Sequence, residues 1–156
     1  MKKFELTSEF ITNIFGAKLF RIKALVEFGN VKAGELGGYV EKEENLSQCG
    51  NAWVYGNAEV CGDALVCGDA RVYDNADYAT AKGFGSCFRT TTFFRLKNGR
   101  VGVKCGCFCG TLEEFRKKVM ETHGESKTAE EYLMLANLME FKFAKKKVEE
   151  KSNDKI

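Results

Sequence analysis

The chain has no proline, one histidine and one tryptophan among its 156 residues. Without proline there is no polyproline linker to hold two units apart. A single histidine leaves little for histidine-based catalytic dyads or histidine-rich metal sets. Lys and Arg exceed Asp and Glu only by a net +2, so bulk charge points to neither nucleic acid nor a membrane surface. No apolar run approaches the roughly 18 residues of a membrane span. The opening "MKKFELTSEF" lacks the apolar core of a signal peptide. These absences lead us to expect a cytoplasmic chain, in one domain or two small modules.

Cysteine, by contrast, is plentiful: Cys49, Cys61, Cys67, Cys87, Cys105, Cys107 and Cys109. An odd count without an export signal argues against a disulfide framework, so thiols are expected.

The segment "GNAWVYGNAEVCGDALVCGDARVYDNAD" repeats itself every six residues. Val54, Val60, Val66 and Val72 recur in one slot, with Ala52, Ala58, Ala64, Ala70 and Ala76 two residues ahead of each successive position. A period of two puts alanine and valine on one face and Trp53, Glu59, Leu65 and Arg71 on the other. Gly-Asn and Gly-Asp pairs turn the corners between short strands. Such a chain is expected to coil as a parallel β-helix.

The spacing resembles the hexapeptide repeat of left-handed β-helices, in which an aliphatic residue is followed four positions on by a small one. That resemblance implies three hexapeptides per coil, so that residues eighteen apart stack. Tyr55 should lie over Tyr73, Cys49 near Cys67, Trp53 over Arg71, Asn51 on Asp69 and Asn57 on Asn75. Continued backwards, the register puts Val40 and Leu46 in alanine slots, and the coil runs from about Gly38 to Ala79.

Flanking segments must cap so short a solenoid. "KLFRIKALVEFGNV" alternates and suggests a strand or hairpin, with Phe4, Leu6, Phe20, Ile22 and Val26 offering apolar cover. Beyond Gly83, "CFRTTTFFRL" and "VGVKCGCFC" flank Asn98-Gly99 and read as a hairpin with Leu96 opposite Val101 and Phe94 opposite Val103. Thr111 to Glu114 is a capping box opening a helix with Leu112, Phe115 and Val119 on one face and a stop at His123-Gly124. Thr128 to Glu131 reads as a second box, followed by the stripe Tyr132, Leu135, Met139 and Phe143. The expected fold class is therefore mainly β: a short left-handed parallel β-helix of about two coils (37–82), an N-terminal β cap (1–36), a C-terminal ββαα module (83–143) and a charged tail (144–156).

No catalytic set emerges. Acyltransferases are common among hexapeptide-repeat proteins, so the resemblance implies an acyltransferase-like enzyme with an acyl-CoA donor as one alternative. Against it, the only histidine, His123, lies outside the coils, the coil is short, and no loop interrupts the hexads. The "CGCFC" thiols read as small core side chains rather than zinc ligands, since no fourth ligand sits nearby. No metal and no cofactor is expected.

The outward residues Trp53, Tyr55, Leu65, Arg71 and Tyr73 form the candidate binding or interface face, an apolar exterior of the kind that marks contacts. A second candidate face on the hairpin combines Arg89, Arg95, Phe93 and Phe108 with Lys97, Arg100 and Lys104. Basic and aromatic residues interleaved on a sheet suit single-stranded nucleic acid, but the near-neutral charge makes a solvated face the better reading.

The blocks "LFRIKALVEFGNVKAGELGGYVEKEENLSQCGNAWVYGNAEV" and "GCFCGTLEEFRKKV" are similar to a group of small β-helix proteins of bacteriophages and prophages, over most of 19–143. That resemblance implies a non-enzymatic interaction protein in the host bacterial cytosol. Its expected role is to inhibit host defence, by binding a host protein or by sequestering a small signalling ligand. A homo-oligomer, trimer or dimer, is expected; a phage structural component is the third alternative.

Overall fold

The computed structural model describes residues 2–85 and 89–144. Cys87, Phe88 and all of the expected charged tail except Ala144 lie outside the described residues.

The chain opens as an antiparallel hairpin of β1 (Phe4–Thr12) and β2 (Lys18–Ala24), with Phe4 opposite Ala24 and Thr12 opposite Lys18. Asn13 closes it, its Oδ1 accepting from the backbone of Phe15 and Ala17 in the manner of an Asx turn. β3 (Leu36–Val40) adds antiparallel to β2, and β5 (Glu59–Val60) adds parallel to β3. β4 (Trp53–Val54) and β6 (Arg71–Val72) form a separate parallel pair. A second four-stranded sheet is an antiparallel meander of β7 (Tyr78–Phe84), β8 (Arg89–Arg95), β9 (Val101–Cys105) and β10 (Phe108–Thr111). Two helices follow, α1 (Leu112–His123) and α2 (Lys127–Phe143).

The expected left-handed β-helix is not the fold. The chain is mainly β, with three separate mixed and antiparallel sheets and two C-terminal helices. Eighteen-residue pairing occurs where Trp53 meets Arg71 and Val54 meets Val72, and there the Tyr55 and Tyr73 rings stack at 4.3 Å. It does not propagate. Val40 pairs with Val60 and Leu46 with Val66, a twenty-residue offset instead of the expected Ala58 and Ala64. The offset changes between Ser47, which donates to the Val66 carbonyl, and Asn51, which donates to the Gly68 carbonyl, so the two extra residues lie in the Gln48–Gly50 stretch. Asn45 locks the 3-10 turn Glu43–Asn45 from the inside: Oδ1 accepts from the Glu41 and Lys42 backbones, and Nδ2 donates to the Gly62 and Ala64 carbonyls.

The β8–β9 hairpin also differs from expectation, by one residue. Phe93 faces Val103 and Phe94 faces Gly102, because the loop holds Lys97, Asn98 and Gly99 rather than Asn98 and Gly99 alone. Gly99 sits at φ 85°, the left-handed position that a three-residue loop with a bulge requires. Phe93, expected in the open, is wholly buried because the helices cover its face of β8, while Phe94 is buried on the opposite face. The expected single strand through "CGCFC" is broken by a tight turn at Gly106-Cys107, making the module four strands and two helices instead of ββαα.

At α1 the capping box forms as read, with Thr111 Oγ1 accepting from Glu114 N and Glu114 Oε1 from Thr111 N. At α2 the cap is Ser126, which accepts from Ala129 N, and not Thr128. The stripe that packs inward is Ala129, Tyr132, Ala136, Met139 and Phe143, with Leu135 at its margin.

Two cores result. One gathers Phe4, Ile22, Val40, Leu46, Trp53, Val54, Val60, Val66 and Val72 beneath the first sheet. The other gathers Phe93, Val103, Phe115, Val119, Tyr132 and Met139 between the meander and the helices.

Candidate functional site

The expected outer face is mostly inside. Trp53 is wholly buried, with Phe28 at 5.2 Å and Phe4 at 6.2 Å in edge contacts, because the N-terminal hairpin folds over it. Tyr55 and Leu65 are half-buried against the same core, and Cys67 is buried. Arg71 is half-buried beside Trp53, while Tyr73 stays exposed. An apolar solenoid wall is therefore replaced by a covered core with one tyrosine stack at its rim. Tyr55 is anchored there by its hydroxyl to Asn30 Oδ1 at 2.9 Å.

The basic hairpin face is dispersed as well. Arg95 turns beneath α2, donating to Asp77 Oδ1 and the Phe143 carbonyl, both at 3.0 Å. Phe93 packs edge-on against Phe115 in the helix core.

The expectation of free thiols fails at one pair. Cys67 and Cys109 form a disulfide that joins the repeat segment to β10. Sequence could not pair them, since their neighbourhood depends on how the meander docks. Cys49, Cys61, Cys105 and Cys107 are free, and the tight turn separates Cys105, Cys107 and Cys109, so the three do not share one strand face. Among the described residues, no group of three His, Cys, Asp or Glu side chains is arranged to hold a metal.

What the fold does assemble is a cavity of about 370 Å³ at the open end of the meander. The turn after β9 supplies Cys105, Cys107 and Phe108, and the start of β8 supplies Arg89. From α1 come Phe115, Lys118 and His123, and from α2 comes Tyr132. The aromatic floor is continuous: Phe108 to Phe115 at 5.9 Å, Phe115 to Tyr132 at 5.6 Å, and Tyr132 to His123 at 5.8 Å. Cys105 Sγ lies 3.4 Å from Thr91 Oγ1 and 3.9 Å from the Tyr132 hydroxyl. Gly106 sits at φ 60°, a left-handed conformation that favours glycine, and a Cβ there would push the Arg89 guanidinium aside.

Its charge is one-sided. Among the described residues the lining carries Arg89, Lys118 and His123 and no carboxylate. A second cleft, of about 560 Å³ beside the disulfide, mixes Glu43 and Glu44 with Lys104 and so favours no single sign. The first cavity is thus suited to an anion carrying a flat ring.

Arg89 and Phe108 were visible in the sequence as candidates, but for an open hairpin face. Lys118, Tyr132 and His123 were missed as a site. Their only shared signal is helical spacing, which reads equally well as core and cap.

Compared with known proteins, the chain matches no family model and no curated protein at a significant level. The resemblance to phage β-helix proteins has no support from these comparisons, and the fold described above overturns the repeat on which it rested.

Proposed function

We propose that the protein is a non-catalytic binding protein that captures a small anionic ligand bearing an aromatic ring, such as a nucleotide. The observation that carries this is the cavity in which Arg89, Lys118 and His123 surround an aromatic floor of Phe108, Phe115 and Tyr132, with no acidic side chain among its described lining residues. A ring stacked on that floor and a phosphate beside Arg89 and Lys118 would use both halves of the site. Sequestration of a small signalling molecule is the role that such a pocket supports without any reacting group.

Calorimetry with adenosine monophosphate as probe tests it, with adenosine and inorganic phosphate as partial ligands. Measurable binding of the nucleotide, weaker binding of either part, and loss of binding in Lys118→Glu are expected. No binding of any of the three would overturn the reading. Consumption of acetyl-CoA that depends on His123 would replace it with acyl transfer.

A further inference from the structure

α2 has two faces, and only one is used. Ala129, Tyr132, Ala136, Met139 and Phe143 lie against the sheet and α1. On the opposite side Met134, Leu138 and Phe141 are 69%, 55% and 81% exposed. Their i, i+4, i+7 spacing makes one continuous apolar stripe along the helix. Side chains of this size standing in water as a row are the mark of an interaction surface.

We propose that this stripe is the interface with a second copy of the same chain, the two α2 helices packing antiparallel about a two-fold axis. The argument is self-complementarity. At 3.6 residues per turn, Glu131 and Lys142 fall on the same flank of the stripe, about three turns apart. In an antiparallel pair related by a two-fold axis, like flanks adjoin and the sequence direction reverses. Glu131 then lies level with the partner's Lys142, and Lys142 with the partner's Glu131. The same crossing seats Met134 between the partner's Leu138 and the partner's Phe141. Charge and shape are satisfied by one register, with no second protein required. A parallel pair would bring opposite flanks together and would not join Glu131 to Lys142.

The helix that would carry the contact is itself fixed. Arg116 of α1 holds Asn137 Oδ1 at 3.0 Å and Glu140 Oε1 of α2, leaving the stripe displayed on a rigid support. A single helix face buries little, at the small end of specific interfaces, so a dissociation constant in the micromolar range is expected. The stripe and the ligand cavity occupy different sides of α2, since Tyr132 of the cavity is on the inward face. Dimer formation therefore does not depend on the ligand reading.

Sedimentation velocity on the full chain across the micromolar range is the test. A concentration-dependent monomer–dimer equilibrium is expected, and Leu138→Glu should abolish it while circular dichroism stays unchanged. Glu131→Lys and Lys142→Glu should each weaken dimerisation at least tenfold, and the double exchange should restore it. A chain that stays monomeric throughout, a dimer indifferent to Leu138→Glu, or a double exchange no better than the single ones would each overturn the proposal.

Discussion

Phe93 and Phe94 are neighbours in β8, both buried, and they belong to different cores. Phe93 meets Phe115 under the helices, while Phe94 closes the core that contains Trp53 and Val72. β8 is thus a wall shared by both halves of the molecule.

That shared wall predicts joint unfolding. Phe93→Ala and Phe94→Ala should each cost about 3–5 kcal/mol, the usual loss for a buried phenylalanine. Trp53 fluorescence reports the first core and far-ultraviolet circular dichroism the helices. Their denaturant transitions should coincide in the wild type and in both variants. Two resolved transitions would mean that β8 does not couple the cores.

Reduction should weaken the fold measurably. The Cys67–Cys109 bond spans 42 positions of sequence, and a crosslink over a loop of that length is worth about 4 kcal/mol. Cys67→Ser should lose roughly that much and should then be insensitive to reductant. Equal stability of the oxidised wild type and the Ser variant would argue against the crosslink.

Asn45 should tolerate almost nothing. Its buried amide satisfies two backbone donors and two carbonyls. Asn45→Ala strands those groups, each costing about 1–3 kcal/mol, so a total loss of several kcal/mol is expected in chemical denaturation. Asn45→Asp keeps the acceptor but loses the donor and should fall between the two.

Lys3 gives the protein an alkaline stability signature. Burial pulls its ammonium down to about 8 from an ordinary 10.5, partly offset by nearby Cys49. The buried Nζ donates to the Ala52 carbonyl at 2.8 Å and to the Gly50 carbonyl at 3.3 Å. Between pH 8 and 10.5 the unfolded chain binds more protons at this site than the folded one. Its contribution is therefore fully present above the upper value and is lost as pH falls through the lower. Stability of the wild type relative to Lys3→Met should rise across that window. A flat difference would remove the assigned cause.

Much of the fold could be read from local pattern. Apolar alternation marked Val54, Val60, Val66 and Val72 as interior, and they are buried without exception. Thr111 with Glu114 marked the start of α1, and Asn98-Gly99 marked a hairpin turn. These signals are short-range: a cap, a turn and a side-chain alternation each complete themselves within a few residues.

What the neighbours of those segments would be was decided by tertiary packing. Two extra residues between Ser47 and Asn51 set the first pairings at twenty residues instead of eighteen and interrupt the single register that the hexads suggest. The N-terminal hairpin buried Trp53, and the helices docked on the other face of β8 buried Phe93. The Cys67–Cys109 bond and the cavity of Arg89, Lys118, His123 and Tyr132 join residues far apart in sequence. Register and docking depend on the fit of whole surfaces, and a single strand or helix carries no record of which surface it will meet.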